Sequence, residues 1–222
     1  MGDWVLGPGE ILRAFVETLA SGELTTHIGA SLLRALPGFA LGSFLGVALG
    51  LLAGVSRALD EILSAPVFLS YPVPKIVLLP IVMVWFGIGD LSKIVIIAGA
   101  CFYPAFINAY YGARSTRTIL VWSALNMGAR RWHLFWKVVM PSAAPMVLTG
   151  LRVALALSFI LLFAAEMVGS RSGLGWLIKQ AEQGLRFDLM YVSILTIAVL
   201  GWAGDTLLRV ARGRFVGWAD QR

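Results

Sequence analysis

The sequence predicts an all-α integral membrane protein with about five membrane-spanning helices and short helices on the cytoplasmic side. Three observations predict it. The chain is 59% hydrophobic and 14% charged, against about 45–50% apolar and about 25% charged in an ordinary soluble domain. Its apolar residues gather into runs near the ~20 residues that a helix needs to cross a bilayer. Its charges collect in the stretches between those runs, which leaves one membrane domain and little chain for a soluble one. The net charge of +6 therefore does not point to nucleic acid, because it is spread over loops and does not form one basic face.

Residues 1–33 carry Asp3, Glu10, Glu17 and Glu23 and no basic start followed by an apolar core, so they do not read as a cleaved signal peptide. They read as an N-terminal extracytoplasmic or interfacial segment, followed by a transmembrane domain over 34–211 and a cytoplasmic tail over 212–222. The first span is 35–56, twenty-two residues without a charge. Within it Gly38, Gly42, Gly46, Gly50 and Gly54 recur every four residues, a groove where another helix can approach closely. That groove serves either a packing seam within the chain or a sliding or dimer contact.

The second span, 66–89, is broken by Pro66, Pro72, Pro74 and Pro80, with Lys75 in its middle. Proline removes a backbone donor and bends a helix, so the expected form is a bent entry through Tyr71, Pro72 and Pro74, then a short helix ending near Phe86. Irregular backbone at membrane depth belongs where protein or a watery cavity satisfies it. Tyr71, Pro72, Lys75 and Pro80 are therefore candidates for a solute pathway, beside the alternative of a kink that merely fits neighbouring helices.

The third span is 94–113, and it carries Cys101, the single cysteine, which reads as a small buried apolar residue. The stretch 114–137 holds five Lys or Arg and no acid. The fourth span, 144–168, contains Arg152 and Glu166, charges that usually face protein or water. They lie about 21 Å apart along one helix and cannot pair within it. Arg152 either snorkels toward the basic side or joins the pathway; Glu166 either sits at the interface or touches solute. Residues 169–188 read as a glycine-rich, mixed-charge loop, and the fifth span is 189–210, with Asp205 near its end. His27 and His133 read as surface residues, and no cluster of metal ligands, nucleophiles or cofactor-binding groups is expected.

Lys and Arg accumulate on the cytoplasmic side of short loops, which places Arg57, 114–137 and 209–222 inside the cell. That topology leaves the acidic N-terminus outside with no upstream helix, so a missing first helix is expected.

The stretch 118–141, TILVWSALNMGARRWHLFWKVVMP, predicts two short helices. Gly128 stops the first, 130–139 form the second, and Pro141 closes the unit before the next span. Its Trp132, Phe135 and Trp136 beside Arg130, Arg131 and Lys137 also suit an amphipathic helix on anionic lipid. It resembles the cytoplasmic loop of binding-protein-dependent ABC importer permeases, whose pattern is EAA, three residues, Gly, nine residues, then Ile-x-Leu-Pro. Ala124, Gly128, Val138, Met140 and Pro141 fall at the corresponding spacing. Trp122 stands at the acidic position and Ser123 at the first alanine, so a contact made by that acid is not carried over. KIVLLPIVMVWFGIGDLSKI from Lys75 and LTGLRVALALSFILLFAAEMVGSRSGLGWLI from Leu148 are similar to the nitrate, sulfonate and taurine branch. The opening LGPGEILRAFVETLASGEL resembles the segment that follows an additional N-terminal helix in that branch.

The resemblance implies a multi-pass permease of the bacterial inner membrane that pairs with a second permease subunit as a homodimer, receives solute from an extracytoplasmic binding protein and docks its loop on separate ATPase subunits. Alternating access would move a small anion. The chain holds no G-x-x-x-x-G-K-[ST] phosphate loop, so it is not expected to be an enzyme. The competing reading is a self-sufficient channel or secondary carrier.

Overall fold

The computed structural model describes residues 6–216, all of whose regular elements are helical. Residues 1–5 and 217–222, which include part of the expected cytoplasmic tail, lie outside the described residues.

Helix α1 (Pro8–Ala20) starts with proline in its first turn, and the Gly7 N–H donates to Glu10 Oε2 at 2.9 Å. Ala14 and Thr18 are buried, while Leu12, Val16 and Leu19 face outward. Gly22, at φ +78°, turns the chain into α2 (Glu23–Val55). This helix begins at Glu23, well before the expected boundary at residue 35. The first uncharged residue was a poor marker of the helix start, because His27 and Arg34 enter the protein interior and find partners there.

The expected bend is present. Helix α3 (Arg57–Ser70) is followed by a 3-10 turn, Lys75–Leu78, and α4 (Leu79–Phe86), with 91° between the two arms. Carbonyls freed at the break are satisfied by Lys75 Nζ, which donates to Ser70 O, Tyr71 O and Val73 O at 2.7, 3.2 and 2.8 Å. The same ammonium lies 3.9 Å from the centroid of the Tyr103 ring.

Helix α5 (Asp90–Arg114) packs along α2 through the glycine seam. A Cβ at Gly42 would stand 2.1 Å from Ala98 O, and one at Gly50 would stand 2.4 Å from Phe106 O. Gly38, Gly46 and Gly54 meet Ile97, Ala105 and Ala113 of the same helix. The five glycines thus form a seam within the chain, and the space for a sliding or dimer contact is taken by α5. Cys101 is buried, with Sγ 3.3 Å from Ala154 O.

Next come α6 (Thr118–Asn126), α7 (Arg131–Leu134), a π-helical turn at Phe135–Val139 and α8 (Met140–Gly169). Pro141 does not close the unit, contrary to expectation: Arg131–Gly169 is one continuous helical run of 39 residues. Proline is tolerated because it lies in the first turn of α8, and the preceding wide π turn accommodates the missing donor.

The expected loop over 169–188 is also corrected. It contains α9 (Leu174–Gln183), whose Leu174, Leu177, Ile178 and Ala181 are buried at helical spacing. The chain ends in α10 (Phe187–Val216). Among the described residues, four helices are long and apolar enough to cross a membrane, or five with the bent pair as one span.

Candidate functional site: a knob and a buried polar lock

The knob is built from local hydrogen bonds. Gly128 ends α6 with φ +79°; its N–H donates to Leu125 O at 2.9 Å, and the Ala129 N–H reaches Ala124 O at 3.0 Å. These two bonds make a Schellman cap, which ties Leu125 to Gly128 and Ala124 to Ala129. Arg130 is extended and starts α7, with the Leu134 N–H donating to Arg130 O at 3.0 Å. Ala124, Gly128 and Val138 line one cavity of about 440 Å³ with Arg130, His133 and Lys137. Met140 and Pro141 lie further along, at the exposed start of α8. His133 is exposed, as expected.

The knob's surface is apolar and basic. Trp122, Met127 and Trp132 are exposed, and Trp132 packs edge-on against Trp136 with centroids 5.3 Å apart. Its root is fixed: Val139 is buried with Leu51, Ala109, Ala113 and Ala143. The knob's root is thus packed against α2, α5 and α8.

At the other end of α8, Glu166 is fully buried, not at an interface. Its Oε1 accepts from Arg34 Nη1 at 2.7 Å, its Oε2 from the Gly175 N–H at 2.9 Å, and Ser31 Oγ lies within 3.0 Å of both oxygens. Arg34 also donates through Nε to Asp90 Oδ1 at 2.7 Å and through Nη2 to Ser172 Oγ at 2.8 Å. His27 is buried too, correcting its expected surface position; its Nδ1 accepts from the Gly173 N–H at 3.0 Å. This arrangement locks α2, α5, α8 and the start of α9 together. Gly173 is required at φ +108°, and a Cβ there would stand 2.2 Å from Glu166 Oε1.

Sequence reasoning missed His27, Ser31, Arg34 and Asp90. A signal existed: His27, Ser31 and Arg34 are spaced i, i+4, i+7 and form a polar stripe on one helical face. Arg152, in contrast, pairs with Asp205 of α10 through Nε and, at 3.0 Å, through Nη2 to Oδ2. Glu166 and Arg152 are thus held by separate partners. Tyr71, Pro72 and Lys75 come together at the bend, and Pro80 lies in the first turn of α4.

Residues 46–216 match the family described as binding-protein-dependent transport system inner membrane component. The chain belongs to this family. A putative aliphatic sulfonates transport permease protein, SsuC, from Bacillus subtilis strain 168 is 34% identical over 214 residues, covering 96% of this chain and 77% of that protein. The taurine transport system permease protein TauC of Escherichia coli K12 is 33% identical over 195 residues, covering 88% of this chain and 71% of that protein. Among solved structures, the inward-facing MetNI methionine ABC transporter matches with a TM-score of 0.69 at 23% identity, over 84% of this chain and 95% of that one. This permease is a multi-pass membrane protein and the transmembrane subunit of an ABC importer, and nothing in these likenesses favours a self-sufficient channel or carrier.

Proposed function

We propose that the permease moves a small organic or inorganic anion of the sulfonate, taurine or nitrate type by alternating access, driven by a separate ATPase. The observation that carries the coupling assignment is the capped knob, with Ala124, Gly128 and Val138 around one cavity and its root buried among the spans. In this reading an ATPase subunit docks at that cavity, beside the exposed Trp122 and Met127. The substrate class is supported by the relatives' sulfonate and taurine permeases.

In this reading the knob and the C-terminus are cytoplasmic, in keeping with the basic stretch 114–137. The lock then faces the outside, where a binding protein delivers solute. A second copy of this chain completes the pathway. ATP-driven closure of the ATPase pair brings two knobs together, and the stiff 39-residue run of each permease carries that movement to the outer end.

Reconstitution with ATPase and binding protein in proteoliposomes tests this. Labelled taurine or ethanesulfonate should accumulate only with ATP and both partners. Gly128→Pro should abolish uptake while the protein stays in the membrane. Near-normal uptake by that variant, or uptake by the chain alone, would overturn the coupling assignment.

A further inference from the structure

The lock borders a basic cavity that its own ion pairs do not use. It measures about 600 Å³ and is lined by Arg34, Lys93, Ser170, Arg171, Ser172 and Asp90, among others. That volume lies within the roughly 300–1,000 Å³ of small-molecule sites. Arg34 is occupied by Glu166, Asp90 and Ser172. Lys93 is not so placed.

Lys93 is 1% exposed, and its Nζ donates to Gly89 O at 2.9 Å. An ammonium has three donors, and among the described residues no carboxylate lies within ion-pair distance of this one. Ser170 Oγ, on the same cavity wall, is buried without a hydrogen-bond partner. Arg171 is exposed there and likewise forms no ion pair among the described residues. Arg34, Lys93 and Arg171 face Asp90 and the underlying Glu166, so one positive charge is left over. Burying a cation without a counter-ion is costly, and an entering anion removes that cost.

We propose that this cavity is an anion-binding subsite at the extracytoplasmic mouth, taking a small singly charged oxyanion of the sulfonate class. Lys93 Nζ is its charge partner, Ser170 Oγ a hydrogen-bond donor and Arg171 the outer attracting charge. The subsite deepens the importer reading and rests on it for its side of the membrane. It gives solute released by the binding protein a first hold on the permease.

Equilibrium dialysis of the purified permease–ATPase complex, without binding protein, tests the subsite with ³⁵S-labelled ethanesulfonate, and with labelled dimethyl sulfone as an uncharged control. Ethanesulfonate should bind saturably and the sulfone should not. Lys93→Met should weaken binding by about tenfold or more, whereas Lys93→Arg should largely retain it. Arg171→Gln changes an exposed residue and should weaken binding severalfold with the complex intact. A complex that hydrolyses ATP but shows no saturable binding up to about 10 mM, or binds equally well with Lys93→Met and Arg171→Gln, overturns the subsite alone. Unchanged ethanesulfonate binding with weakened capture of the binding protein would also overturn it, showing that the cavity reads a protein carboxylate. Failure to assemble with any ATPase would overturn the importer reading and the subsite with it.

Discussion

The knob and the lock stand at opposite ends of one helical run, and they are held by different physics. The knob is exposed and made of contacts within a few residues: a Schellman cap, an extended Arg130 and a π turn. The lock is buried and made mostly of contacts between residues 56 to 146 positions apart, the Gly175 N–H on Glu166 being its short-range bond. The difference teaches that an exposed surface element can be specified locally, whereas a buried polar fixed point needs charges gathered from several helices. An exposed element keeps its polar groups solvated. A buried carboxylate must have its oxygens occupied, or its desolvation is uncompensated.

Breaking the lock should have the largest effect on stability. Glu166→Ala leaves Arg34 buried beside an empty partner site, and removing one member of a buried pair costs about 3–5 kcal/mol. The apparent melting temperature in detergent should fall sharply, and Arg34→Ala together with Glu166→Ala should cost less than the two single changes added. Unchanged melting in Glu166→Ala would remove the lock from the account.

Matched glycine changes sharpen the contrast. Gly173→Ala meets both a positive φ and the Glu166 carboxylate, so a loss of about 1–3 kcal/mol is expected. Gly128→Ala meets positive φ but open space, so about 1–2 kcal/mol from backbone strain alone is expected. Thermal melting measures both, and a larger loss at Gly128 than at Gly173 would reverse the comparison. Smallest is Arg152→Gln: its side chain is 56% exposed, and exposed pairs contribute about 0–1 kcal/mol. Its melting curve should lie close to that of the parent.

What was legible in the sequence follows the same division. The glycine seam announced itself by a four-residue period, and the knob by a glycine between two short apolar helices. The bend at 71–74 was marked by its prolines. The lock was not legible because Glu166 alone gives no hint of which distant residue answers it, and Arg34 falls just outside the uncharged run 35–56 that marked the first span. Helix α9 was concealed by the glycines around it, although its buried residues have ordinary helical spacing. Pro141 misled because the break it signals in isolation is absorbed by the π turn before it.

The central claim is that knob and lock lie on opposite sides of the membrane, with the knob inside against the ATPase. Cys101 is the single native cysteine and is buried, so introduced cysteines can be labelled cleanly. Intact cells carrying Met127→Cys or Arg171→Cys should be treated with a membrane-impermeant maleimide, before and after permeabilisation. Arg171→Cys should react in intact cells and Met127→Cys only after permeabilisation. Labelling of Met127→Cys in intact cells, with Arg171→Cys protected until permeabilisation, would contradict it.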